Sequence, residues 1–244
     1  MVAAPAAPAA AAAPTPGGSA LDGYLLRWEQ EMQKVQTLAA QLARIDKDKT
    51  FQTTQKFVGY AQYMKSGTGP TALNLAMLQL NLEGKEEVAE KFVCTGTYLY
   101  HFLPAQKEIR AYELPKPRPG QVGDDSFLGF MFGMRAEEAR RRYELRLAKE
   151  DQWYIYVEIL PRFPADKADF QRARIVLNKD SFLPRQLWFE HPNGNEVLWD
   201  IPRIQSGLRL ERRHFDAPQP PPGWRVVPVA RNADVPPRVA RPSP

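Results

Sequence analysis

The sequence predicts an α+β fold: one large curled antiparallel sheet, with a long N-terminal helix and short helices laid against it. Three observations lead there. Short β-branched and aromatic runs recur between Gly, Pro, Asn and Asp punctuation from Leu42 to His214, about ten or eleven strands at hairpin-length spacing. A clean helical stripe occurs near the start of the chain, from Asp22 to about Ala40. Finally, a sheet of so many strands rarely stays open and flat, so it is expected to curl with the helices on its concave side.

In the first helix Leu25, Trp28, Met32, Val35 and Ala39 fall on one stripe behind Asp22 as cap. That stripe reads as core, and Trp28 and Met32 also qualify as the border of a cavity. From Leu42 to Tyr63 polar residues break a β-branched and aromatic background, which reads as strand, and 66–70 is a loop. In Ala72–Leu82, Leu73, Leu75 and Met77 alternate with Leu78, Leu80 and Leu82; helix competes there, but antiparallel neighbours favour strand.

The most informative stretch is Val88–Leu114, three consecutive strands. Gly96 supplies the positive φ of a tight turn after the first. In the second, Tyr98, Tyr100 and Phe102 point to one face and Leu99, His101 and Leu103 to the other, so each face needs an apolar cover. Pro104 stops the ladder, and Lys107–Leu114 resumes it. A Pro- and Gly-rich loop at 115–123 then leads to a short apolar helix, FLGFMFGM, capped by Asp125 or Ser126. Phe127, Phe130, Met131, Phe132 and Met134 cover most of its circumference, while Gly129 and Gly133 weaken it, so it reads as a movable lid or as a close-packed core helix. Arg135–Arg142 is a second short helix, acidic first and basic last, whose arginines read as a solvated face.

Strands follow at Tyr143–Leu147 and Trp153–Leu160, the latter with Trp153, Ile155, Val157 and Ile159 on one apolar face. Further strands are Phe170–Leu177, Arg185–Glu190, Glu196–Ile204 and Leu208–His214, with a turn at His191–Gly194. One domain, 22–227, therefore lies between an Ala/Pro-rich linker at 1–21 and an Arg/Pro-rich tail at 228–244, both expected to be disordered.

Hydrophobic content of 43% suffices for a substantial core. The net charge of +5 is concentrated in part at the C-terminus, where four arginines in 217–244 face only Asp234, and is too mild to indicate nucleic acid. Cys94 is the single cysteine and lies within a strand, as a buried structural thiol. No apolar run reaches the ~18 residues of a membrane span. The opening twenty residues lack a basic n-region and a Leu-rich h-region, so they read as a flexible linker rather than an intact export signal. No GxSxG, HExxH, P-loop or GxGxxG motif occurs, and His101, His191 and His214 lack metal-ligand spacing. Asp124 and Asp125 are explained by capping. No catalytic residue, metal or cofactor is expected.

Set in order, several motifs resemble the LolA-like superfamily of periplasmic outer-membrane lipoprotein carriers, in its planctomycete-type branch. They are Trp28, Val35, Thr37, Leu38 and Ala40 in the opening helix; Gly59 leading a strand; Gly96, Leu99, Tyr100, Phe102 and Pro104; Pro161 and Phe170; Leu183, Pro184, Leu187 and Phe189; and Phe215, Pro222, Gly223 and Trp224 at the close. Their order over residues 22–227 carries the resemblance. It implies an incomplete β-barrel of about eleven antiparallel strands, closed by helices, that shelters acyl chains. Two departures stand out. Lys65-Ser66 occupies the place of a basic residue followed by Pro, and Lys lacks the planar fork of Arg. The Pro-rich C-terminal tail also falls outside the pattern.

The resemblance agrees with a physical argument: each CH₂ exposed to water costs ~0.8 kcal/mol, so a soluble acyl carrier must enclose the chain. The expected walls are Trp28, Met32, Leu73, Leu75, Met77, Phe92, Tyr98, Tyr100, Phe102, Trp153, Ile155 and Val157, and the expected lid is Phe127, Phe130, Met131, Phe132 and Met134. The expected function is a monomeric periplasmic carrier of lipoprotein or lipid acyl chains, served by a membrane-bound donor and acceptor. The alternative is a lipid-sensing module on the same fold that controls a membrane partner through its tail.

Overall fold

A computed structural model describes residues 17–68, 72–114 and 135–229. Within them the chain forms α1 (Gly17–Lys34), then β1 (Thr37–Asp48), β2 (Thr53–Ser66), β3 (Leu73–Leu82), β4 (Val88–Cys94), β5 (Tyr98–Leu103) and β6 (Glu108–Glu113). After α2 (Ala136–Arg142) come β7 (Tyr143–Glu150), β8 (Tyr154–Pro161), the single turn α3 (Pro164–Lys167), β9 (Arg172–Asn178), β10 (Pro184–Glu190), β11 (Glu196–Ser206) and β12 (Arg225–Val229).

The described residues build one curled, unclosed 12-stranded sheet, ordered β12-β6-β5-β4-β3-β2-β1-β11-β10-β9-β8-β7. Every pairing is antiparallel except β12 against β6, which is parallel. Local chemistry sets the hairpins. Gly96 takes φ +87 between β4 and β5, as the sequence predicts. The Asp48 carboxylate accepts from the N–H groups of Thr50 and Phe51 at 2.8 and 3.0 Å and so turns β1 into β2. Asn178 turns β9 towards β10 in the same way, through Asp180 and Ser181.

Four expectations about the elements need correction. The first helix ends at Lys34, not near Ala40, because a period of two starts at Leu38 and continues through Ala40 and Leu42; pairing with β2 on one side and β11 on the other outweighs helical spacing there. The helix also starts at Gly17, within the stretch expected to be linker, and Leu21 is buried. Leu208–His214 is not a strand: the chain leaves the sheet at Gly207, makes a 3₁₀ turn at Arg212–Phe215 and crosses to β12, the extra strand beyond the expected count. The arginines ending α2 are not all solvated: Arg140 and Arg141 are exposed, but Arg142 pairs with the buried Asp166. The helix expected around Phe127–Met134, with the loop and cap before it, lies outside the described residues.

Alternation divides the sheet into an inner face, which carries α1 and α2, and an outer face. The main core lies on the inner face: Leu21, Leu25, Trp28 and Met32 of α1 and Ala136 and Ala139 of α2 join buried residues from β1–β4 and β7–β11. A smaller core lies outside, where Phe215 of the C-terminal crossing packs on Leu75, Met77 and Val93.

Candidate functional site: the inner apolar face

Period two decides which candidate residues share a face. In β3, Leu78, Leu80 and Leu82 belong to the inner core, whereas Leu75 and Met77 belong to the outer one with Leu73 packed beside them. Register carries this across the sheet: Leu78 stands opposite Phe92, and Phe92 opposite His101, while Met77 stands opposite Val93, and Val93 opposite Tyr100. Tyr100 and Phe102 therefore lie outside with Phe215, and the Phe102 and Trp224 ring centroids are 6.3 Å apart. Tyr98 is 41% exposed, 6.0 Å from the Tyr100 ring.

The expected wall thus splits. Trp28, Met32, Phe92, Ile155 and Val157 come together on the inner face. Leu73, Leu75, Met77, Tyr98, Tyr100 and Phe102 do not join them. The aromatic side of β5, expected to line the cavity, faces out instead, where the C-terminal crossing packs on Tyr100 and Phe102. Trp153 joins neither set: it precedes β8 and is 59% exposed. Phe127, Phe130, Met131, Phe132 and Met134 lie outside the described residues. Sequence reasoning missed Leu78, Leu80, Leu82 and Leu99 as inner residues, although alternation had already grouped the first three.

A curled, unclosed antiparallel sheet with an N-terminal helix across its inner face is the architecture that the sequence resemblance implies. The chain superposes on an uncharacterized conserved protein from Thermus thermophilus over 86% of its own length and 99% of that chain, at TM-score 0.50 and 10% identity. A DUF1329 family protein from Desulfovibrio piger aligns over 83% of this chain and 98% of its own, at TM-score 0.48 and 12% identity. A LolA superfamily protein from Nitrosomonas europaea aligns over 80% and 97%, at TM-score 0.38 and 12% identity. The Thermus thermophilus protein shares this fold. At such identities the likeness concerns the fold alone. No protein-family model matches the chain, and no curated protein matches it.

One feature of this sheet is not apolar. On the inner face, near the hairpin ends of β1 and β4, Arg44 reaches past β2 and β3 to Glu90 and makes a bidentate pair, Nη1 to Oε2 at 2.7 Å and Nη2 to Oε1 at 2.8 Å. Asp46 lies 2.9 Å from Nε as an ion pair rather than an aligned hydrogen bond. The guanidinium also sits over Phe57 at 4.5 Å and Trp199 at 5.5 Å, and Arg44 is only 3% exposed. Burial works against its charge, but the Glu90 hydrogen bonds and the charges of Glu90 and Asp46 outweigh burial and raise its pKa. Burial pushes the Asp46 carboxyl up, with Arg44 pulling it back. Gly59 stands opposite Leu42 and Leu80 in the strands under this span; a Cβ there would lie 1.9 Å from the Gln79 carbonyl oxygen, so only glycine fits.

His101 stacks on Phe92 at 4.3 Å and 11°, with Nδ1 buried and without a hydrogen-bond partner. Burial lowers its pKa to about 4, Glu90 opposes that, and Arg110 adds to it. The ring is therefore neutral at neutral pH. Cys94 is buried, donates to the Asn74 carbonyl at 3.4 Å, and has its thiol pKa raised by burial, as an inert packing residue would. Among the described residues no group of three or more His, Cys, Asp or Glu side chains is placed to hold a metal. Among them, too, no helix is long and apolar enough to cross a membrane.

Proposed function

We propose that this protein is a periplasmic carrier that shelters acyl chains of lipoproteins or lipids against its inner face and hands them on to an acceptor, rather than an enzyme. The observation that carries this reading is the inner face itself. One apolar surface runs through both halves of a curled sheet that does not close, and its cover in the described residues is two helices. Helices packed by apolar contact can move away from such a face at lower cost than a hydrogen-bonded strand. Trp28 and Met32 on α1 and Phe92, Ile155 and Val157 on the sheet are the contact residues of this reading. Phe127, Phe130, Met131, Phe132 and Met134 remain part of it on sequence grounds alone. Donor and acceptor would be membrane-bound partners, and the working unit a monomer.

Native mass spectrometry of protein extracted from its own envelope tests the reading, followed by displacement of a fluorescent fatty acid from the delipidated protein. Co-purified lipid and saturable displacement are expected. A protein that arrives empty and binds no acyl probe would remove the carrier reading.

The sensor reading has one observation behind it: the segment after β11 docks across the outer face and supplies an edge strand, β12. Truncation after Val229 keeps β12 and separates the two readings. A carrier keeps acyl transfer, whereas a sensor that signals through its tail loses control of its partner.

A further inference from the structure

We infer that the Arg44–Asp46–Glu90 ion group is the end stop of the acyl site and sets the longest hydrocarbon the inner face accepts. The inference rests on the carrier reading and deepens it.

Position is the first argument. Asp46 lies two residues before the end of β1, and Glu90 two residues after the start of β4, so the group sits at the hairpin end of both strands. In the other direction the inner face is apolar without interruption along β1, through Leu42, Ala40 and Leu38. Arg44 to Leu38 is roughly 20 Å of strand at ~3.3 Å per residue. A chain lying along this face therefore runs over hydrocarbon until it meets charge.

Satisfaction is the second. Arg44 turns both Nη atoms to Glu90 and Nε towards Asp46, stacks over Phe57 and Trp199 and is 3% exposed, so its charge is neutralised within the group instead of being presented to a ligand headgroup. A terminal methyl cannot push between the partners either, since separating them would leave buried charges unpaired. The group therefore acts as a wall. A replacement of the three by well-packed apolar side chains would often be tolerated or even stabilising, so holding the fold together does not by itself account for them.

The third is the way the span is built. The pair crosses from β1 to β4 over β2 and β3: Arg44 faces Phe57 of β2, Glu90 faces Leu80 of β3, and the β2 residue facing Leu80 is Gly59, which contributes no side chain. The polar bridge thus lies flat across the inner face instead of standing at one edge of it.

Dissociation constants for a homologous series of saturated fatty acids, from short to long, test this on the full-length protein and two variants. In the wild type, affinity should rise about fourfold per added methylene and then level off where the chain meets the ion group. In the triple variant Arg44→Leu, Asp46→Leu, Glu90→Leu the rise should continue to longer chains. In Leu42→Phe, which adds bulk on the near side of the group, it should level off earlier. Circular dichroism establishes that each variant is folded, and if the triple variant is not, Leu42→Phe decides alone. A levelling point unmoved in folded variants that still bind acyl chains would overturn the end stop and leave the carrier reading standing. A wild type that binds no chain of any length would remove both.

Discussion

The two faces of the β2–β5 sheet are both apolar, yet they are covered by different means. Inside, Leu78, Leu80 and Phe92 belong to the core shared with α1, α2 and the second half of the sheet, and an ion group is buried among them. Outside, Leu75, Met77 and Val93 are covered by a segment in which Phe215 is buried while most of its neighbours are exposed. That segment is held by polar contacts that solvent can reach: Arg212 to the Ser66 hydroxyl at 2.6 Å, His214 to Gln62 at 3.0 Å, and Thr37 to the Leu208 carbonyl at 2.7 Å. Apolar burial on both faces of a strand therefore says that both are covered, and nothing about which cover a ligand could replace.

The largest expected effect comes from the charges on the inner face. Arg44→Met leaves Glu90 and Asp46 buried without their cation and should cost about 3–5 kcal/mol, read as a lower urea midpoint. Arg212→Met, which removes a solvent-exposed contact of the outer cover, should stay within about 0.5 kcal/mol of wild type. Equal losses would mean that the outer contacts are structural to the same degree, and the contrast between the faces would fail.

A second pair of substitutions sharpens the contrast with apolar residues alone. Leu80 has 0% exposure and Phe215 2%, so burial does not distinguish them. Leu80→Ala should lower global stability by about 2–5 kcal/mol, because its neighbours are strands paired on both sides. Phe215→Ala should act locally: faster amide exchange and proteolysis between 207 and 224, with a smaller shift of the unfolding midpoint. Matching midpoint losses would show that the crossing unfolds only with the whole sheet.

The difference between the covers also explains how much of this molecule was legible. Most of the strands up to β11, the hairpin at Gly96 and the alternation of β3, β5 and β8 are local, and they read correctly from spacing; Leu208–His214, expected as a strand, did not. Which side of the sheet each alternating set joins is not local. It depends on a chain crossing that starts at Gly207, more than a hundred residues after β5, and nothing in YLYHFL marks its aromatic side as outward. The Arg44 group was illegible for the same reason. Arg44 and Glu90 are 46 residues apart, and in sequence each resembles an ordinary solvated charge on a strand. The inner contribution of β3 was within reach, since Leu78, Leu80 and Leu82 alternate as well as Leu73, Leu75 and Met77; the choice between the two sets required the fold.

Acid should act on the inner face before the outer one. The His101 ring has a folded pKa of about 4 against an ordinary 6.5, so its contribution to stability is present above 6.5 and is lost as pH falls from 6.5 towards 4. After allowance for its partial exposure the loss is on the order of 2 kcal/mol. Asp46 works in the opposite sense, since a raised carboxyl favours the folded state as it takes up a proton. The difference between wild type and His101→Phe, followed by urea unfolding across that range, isolates the histidine. A profile that stays the same in His101→Phe would mean that the ring meets solvent in the folded state.

The smallest expected effect belongs to Trp153, which sequence alternation placed with Ile155, Val157 and Ile159. The alternation is real, but the strand starts one residue later. The Asp151 carboxylate accepts from the N–H groups of both Trp153 and Tyr154, at 2.9 and 2.8 Å, which winds the chain into the turn between β7 and β8. The Trp153 carbonyl accepts from Lys179 N–H at 2.8 Å, a bond any side chain at 153 would preserve. The indole is thus held outside the face by its own backbone. Trp153→Ser should change stability by less than about 0.5 kcal/mol and leave acyl-probe affinity unchanged. Ile155→Ser, two positions along and fully buried, should lower both. If Trp153→Ser weakened probe binding as much as Ile155→Ser, the ligand would have to reach the β7–β8 hairpin, and the acyl site would not be confined to the inner face.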